Sequence, residues 1–156
     1  MVKKILIGVL ILGILGVAAF ALLGYGTYKV VDEAIKEREP QLRQYLQMDT
    51  DAQNQYVLNN IEEILSKVDL DKDGKPDDKE QWEKFKQLNS QPEIQNAMIN
   101  AGRSFLASII MLSEPIVNDM TPEIKKQYEN EADEFEKRCN VYSKLLEDAG
   151  LDIKEK

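Results

Sequence analysis

Between residues 29 and 149 the apolar positions recur every three or four residues, and no stretch alternates in the manner of a strand. This spacing predicts an all-α chain. A first helix is expected over about 29–47, with Val30, Val31, Ala34, Ile35, Leu42, Tyr45 and Leu46 as its apolar points. Pro40 should kink or break it, because proline lacks the N–H that a helix interior needs. "MDTD" at 48–51 has turn and N-cap chemistry. A second helix follows over 53–68, with Val57, Ile61, Ile64, Leu65 and Val68 on one face, and a third over 78–89, with Trp82, Phe85 and Leu88.

"SQPE" at 90–93 has the form of a capping box, with Ser90 as cap and Glu93 three residues on. The helix after it, 91–113, carries a broad apolar stripe from Ile94 to Leu112 and is expected at the centre of the core. Arg103 and Asn100 interrupt that stripe and make it a poor membrane span. "SEPIVNDMTPE" at 113–123 reads as a connector, with Thr121 and Pro122 as N-cap and first residue of the last helix. That helix runs over 122–149, and Gly150 should end it with Leu151 folding back. Two helices joined by a short connector form an antiparallel hairpin, here spanning 90–156.

The N-terminus has a different pattern. Residues 5–26, "ILIGVLILGILGVAAFALLGYG", carry no charge and follow Lys3 and Lys4 in the basic segment 1–4. About 20 apolar residues suffice to cross a bilayer as a helix, so a single-pass transmembrane anchor is expected. Tyr25 and Tyr28 sit where interfacial aromatics belong. The competing expectation is a signal peptide cut near Ala21, after the small residues of "AFA", which would leave a secreted protein. Continuation of the apolar run through Leu22 and Leu23 favours retention. A short basic start before such a run places the rest of the chain outside the cytoplasm, at the cell membrane. Residues 27–52 are then a membrane-proximal helix and turn.

Charge and composition narrow the chemistry. The 156 residues include 20 basic and 28 acidic side chains, a net charge of −8. Only Lys3 and Lys4 of these fall in residues 1–28, so the remainder is more acidic still. Such a surface disfavours phosphate backbones, and no nucleic-acid partner is expected. There is no histidine, which removes the commonest general base and most zinc ligands. The one cysteine, Cys139, lies on the apolar stripe of the last helix and reads as a small buried hydrophobe. No phosphate loop or nucleophile–base pair is present, and an enzyme is not expected.

The acidic stretch "DLDKDGKPDDKE", Asp69 to Glu80, joins the second and third helices. A calcium ion takes six to eight hard oxygens, which a tight loop supplies from alternate positions around a sharp glycine turn. Asp69, Asp71 and Asp73 occupy loop positions 1, 3 and 5, and Gly74 occupies position 6. Lys75 at position 7 offers its backbone carbonyl, Asp77 stands at position 9, and Glu80 at position 12 can bind through both oxygens. Packing these carboxylates together without a cation costs repulsion that Lys72, Lys75 and Lys79 relieve only in part.

Over 53–89 the chain resembles the EF-hand family. The resemblance implies a helix–loop–helix that binds Ca2+. It departs from the family at position 8, where Pro76 replaces the usual aliphatic residue and removes the N–H that pairs two such loops. A lone, divergent EF-hand is therefore implied. A second loop at 49–60 begins with Asp49 and Asp51, but it lacks the glycine and ends in Asn60. It reads as a helix cap. The resulting expectation is a membrane-anchored calcium-binding protein with an unidentified protein partner. The alternative is a membrane-tethered helical interaction module, or an accessory subunit of a membrane complex, whose acidic loop binds no metal.

Overall fold

The computed structural model describes residues 28–65 and 79–151. Six helices occur among them: α1 (Tyr28–Leu46), α2 (Thr50–Leu65), α3 (Lys79–Asn89), α4 (Pro92–Met111), α5 (Glu114–Asn118) and α6 (Pro122–Asp148). They form a helical bundle, with no strand among the described residues. None of these helices is long and apolar enough to cross a membrane. The expected anchor at 5–26 lies outside the described residues.

Local chemistry accounts for the boundaries. Helix α1 continues through Pro40, so the expected break does not occur; the exposed ring loses one backbone bond and the helix spans it. The turn after α1 closes with the Gln47 and Met48 N–H groups donating to the Gln44 and Tyr45 carbonyls. Asp49 then caps α2, its Oδ1 accepting from the Ala52 N–H at 2.8 Å. Helix thus begins at Thr50, three residues earlier than the periodicity suggests, and 50–60 is not a loop.

The capping box expected at Ser90 is not formed. Ser90 instead closes α3, its hydroxyl donating to the Gln87 carbonyl at 2.6 Å. The N-cap of α4 is Gln91, extended at φ −73° and ψ 130°, with no side-chain cap bond. Pro92 explains the shift: it holds the residue before it extended and is itself preset for the first helical position. The connector at 113–123 contains the short helix α5, which drops Ile116 into the core. Thr121 caps α6, as expected, accepting from the Ile124 N–H at 3.4 Å.

The end of α6 is a complete Schellman turn. The Leu151 N–H donates to the Leu146 carbonyl at 3.0 Å and the Gly150 N–H to the Glu147 carbonyl at 2.8 Å. Gly150 supplies the required left-handed conformation at φ 83°, and Leu151 folds back to be buried.

Helix α4 occupies the centre, as its stripe predicts; Ala101, Leu106, Ala107 and Ile110 are fully buried. Leu112, counted in that stripe, falls just past the helix end and is 61 % exposed. Helix α6 runs antiparallel along α4. Arg103 meets Glu131, the Asn100 carbonyl meets Arg138, and the Phe105 and Phe135 rings pack at 5.6 Å. Val57 of α2, Phe85 and Leu88 of α3, and Leu42 and Tyr45 of α1 enter the same hydrophobic core. At roughly 25 cal/mol per Å2 of apolar surface removed from water, this shared burial is the main source of stability.

Burial raises the Tyr45 and Tyr142 hydroxyls well above the ordinary tyrosine value, and pushes Tyr128 up to about 12. A group whose folded-state value is raised keeps its stabilising contribution below the unfolded value and loses it as pH climbs through the folded one. Thermal melts are expected to show little change from these groups up to pH 9. The melting temperature should then fall steeply between pH 10 and 12, and Tyr128→Phe should blunt the fall.

Candidate functional site

Helices α2 and α3 enter and leave the acidic loop. Asp69, Asp71, Asp73, Lys75 and Asp77 lie in 66–78, outside the described residues. Glu80 is described: it is exposed, in the first turn of α3, where a carboxylate arriving from the start of the outgoing helix should stand. No group of three or more carboxylates or thiolates among the described residues is placed to hold a metal. Every side chain of the expected set except that of Lys75 offers a hard carboxylate oxygen, which suits calcium over softer metals.

The helices that flank the loop are held firmly. In α3, Phe85 and Leu88 are buried, and Asn89 makes a two-sided amide contact. Its Oδ1 accepts from the Tyr142 hydroxyl of α6 at 2.6 Å, while its Nδ2 donates to the Phe85 carbonyl at 2.8 Å. Lys84 reaches the Gly150 carbonyl in the terminal turn of α6. In α2, Val57 is wholly buried and Gln53 enters a polar cluster beneath the turn from α1.

That cluster gathers polar groups from four helices. Gln53 donates through Nε2 to the Tyr45 carbonyl at 3.1 Å and to the Tyr128 hydroxyl at 3.4 Å. Arg103 Nη2 of α4 makes longer contacts, 3.5 Å to Gln53 Oε1 and 3.4 Å to Glu131 Oε1 of α6. The Arg103 and Glu131 side chains are only 16 % and 17 % exposed. Arg103 Nε is buried with no hydrogen-bond partner, so the guanidinium is only partly compensated. The Tyr45 and Tyr56 rings pack at 5.4 Å beside it.

Arg103, which in the sequence only interrupts the apolar stripe, is the centre of this cluster. The available signal was a charge in the middle of an otherwise apolar helix, which burial forces to find a partner. Cys139 is buried as expected, and desolvation pushes its thiol up to about 12. At neutral pH it is a protonated packing group with no thiolate character.

Compared with protein-family models, with curated proteins and with solved structures, the chain matches none.

Arg103→Met removes one partner of a mostly buried ion pair and is expected to destabilise the fold by about 2 kcal/mol. Adding Glu131→Leu removes the orphaned carboxylate and should recover at least half of that loss. Urea denaturation of the two variants beside the parent chain measures both steps. A double variant no better than Arg103→Met would show that the pair does not act as a unit.

Proposed function

We propose that the chain is a membrane-anchored calcium-binding protein with one EF-hand-like site. The observation that carries this reading is the register of the loop, with carboxylates at positions 1, 3, 5, 9 and 12 and glycine at 6. Asp69, Asp71, Asp73, Asp77 and Glu80 would ligate through side chains and Lys75 through its carbonyl. The placement of Glu80 in the first turn of α3, and the helices on both sides, support it. The apolar run 5–26 would serve as the anchor, with the bundle outside the cytoplasm, where calcium is near millimolar and such modules bind at about 10⁻⁴–10⁻³ M.

The packing favours a structural ion over a switch. A sensor EF-hand works by changing the angle between its helices and exposing an apolar groove. Here Val57 of α2 and Phe85 and Leu88 of α3 are already covered within the common core. Calcium would then neutralise the loop carboxylates between two helices that already pack into the core. Saturation to ten times the dissociation constant would add about 1.4 kcal/mol of stability.

The test is a terbium titration of the full chain in detergent micelles. Trp82, two residues beyond Glu80, is close enough in sequence to sensitise the emission. Emission should saturate, be displaced by calcium near millimolar, and disappear in Asp69→Ala/Glu80→Gln. Absent emission together with a calcium-insensitive melting temperature would overturn the proposal and leave the tethered interaction module.

A further inference from the structure

Two chain reversals build one end of the bundle: the turn from α1 to α2 and the connector from α4 to α6. Polar contacts hold them at the same level. Arg43, near the end of α1, meets Asp119 of the connector at 2.7 Å. Gln53, in the first turn of α2, donates to the Tyr128 hydroxyl in the second turn of α6.

Three large apolar side chains are exposed among the described residues, Leu112, Ile124 and Val141, and the first two belong to this end. Leu112 is the residue that follows α4, and Ile124 lies in the first turn of α6. Half-buried Met48, Val117 and Met120 lie in the same two segments. A single exposed apolar residue is ordinary, whereas a collection of them rimmed by polar groups marks a contact surface. The backbone beneath is fixed. The Leu112 N–H donates to the Ile109 carbonyl at 3.0 Å, and the Ile124 N–H donates to the Thr121 hydroxyl that caps α6. Anchors on a fixed backbone lose less freedom on binding.

The surrounding charge selects the occupant. Residues 44–52 and 112–124 contain Asp49, Asp51, Glu114, Asp119 and Glu123 and no basic residue. Of the cations that adjoin them in sequence, Arg43 is held by Asp119 and Glu39, and Lys125 and Lys126 are the next residues of α6. An acidic rim repels anionic lipid and a second copy of itself, and it attracts a cationic partner. The direction of the chain agrees. Helix α1 begins at Tyr28, about 27 Å along its axis from the end where it turns into α2. On the anchor reading, the acidic end therefore faces away from the bilayer, and two copies in one membrane do not meet end to end.

We propose that this end of the bundle docks a basic amphipathic helix of a partner protein, with Leu112 and Ile124 against its apolar face and the carboxylates facing its lysines or arginines. The surface is independent of the calcium loop; only its direction rests on the anchor.

The test uses the full chain in phosphatidylcholine nanodiscs and a dye-labelled helical peptide of leucine and lysine, read by fluorescence anisotropy with empty nanodiscs as the blank. Saturable binding above the blank is expected, and Leu112→Ser/Ile124→Ser should weaken it about tenfold. Both side chains are exposed, so these changes leave the fold intact. Glu114→Gln/Glu123→Gln should weaken binding severalfold and flatten its dependence on salt. Val141→Ser, at the third exposed apolar position, should stay within about twofold of the parent. No binding above the blank, an equal loss in Val141→Ser, or equal binding of a leucine–glutamate peptide overturns the proposal. So does a dimer of the parent chain that Leu112→Ser/Ile124→Ser dissociates, because a second copy then occupies this end. A chain that binds the peptide but does not stay with the nanodiscs upholds the surface and overturns the anchor.

Discussion

Helix α4 has buried residues around most of its circumference and carries only two charges, Glu93 in its first turn and Arg103 in its middle. That is the constraint on which the rest depends. An apolar rod of 20 residues must be surrounded, and the other helices are arranged to surround it. Arg103 adds direction to a packing force that has none. Its guanidinium needs acceptors inside the bundle, and Glu131 of α6 and Gln53 of α2 supply them at one level along the axis. Gln53 in turn grips the Tyr45 carbonyl where α1 ends. One partly buried cation thus ties four helices to a common register, while the hydrophobic contacts supply most of the energy.

The two helices on either side of the candidate loop belong to this arrangement. The incoming helix is tied near its start by Gln53 and Val57, and the outgoing helix near its end by Phe85, Leu88 and Asn89. Each tether leads back to α4 or α6. The tethers lie at the ends of the two helices away from the loop. Under the proposed calcium reading, such tethers would lower the ordering cost of binding and leave little room for a change of angle between the helices.

How much of this was legible in the sequence follows from the physics each feature uses. Helices α2 to α4 and α6 were readable because a 3.6-residue apolar period directly reports a buried face. Thr121 with Pro122, and Gly150 with Leu151, were readable because caps are local chemistry. The Ser90 cap was misread for the same reason: two local signals competed, and the backbone restriction imposed by Pro92 overrode a side-chain preference. Pro40 does not end its helix, because one lost backbone bond is small beside the burial of Ile35, Leu42 and Tyr45 on the same helix. The Arg103 cluster and the Asn89–Tyr142 bond join residues 28 to 75 positions apart, and no local pattern announces such pairs. The loop is the reverse case. Its reading comes wholly from residue spacing, with Glu80 the one expected side-chain ligand among the described residues.

Amide hydrogen exchange of the full chain in detergent, with calcium and with chelator, addresses the structural-ion reading most directly. Protection should rise within 66–80 and in the adjoining turns of α2 and α3, with α4 and α6 unchanged. Exchange that is identical in the two conditions, or that shifts throughout α2, α3 and α4 as the helices repack, would contradict it.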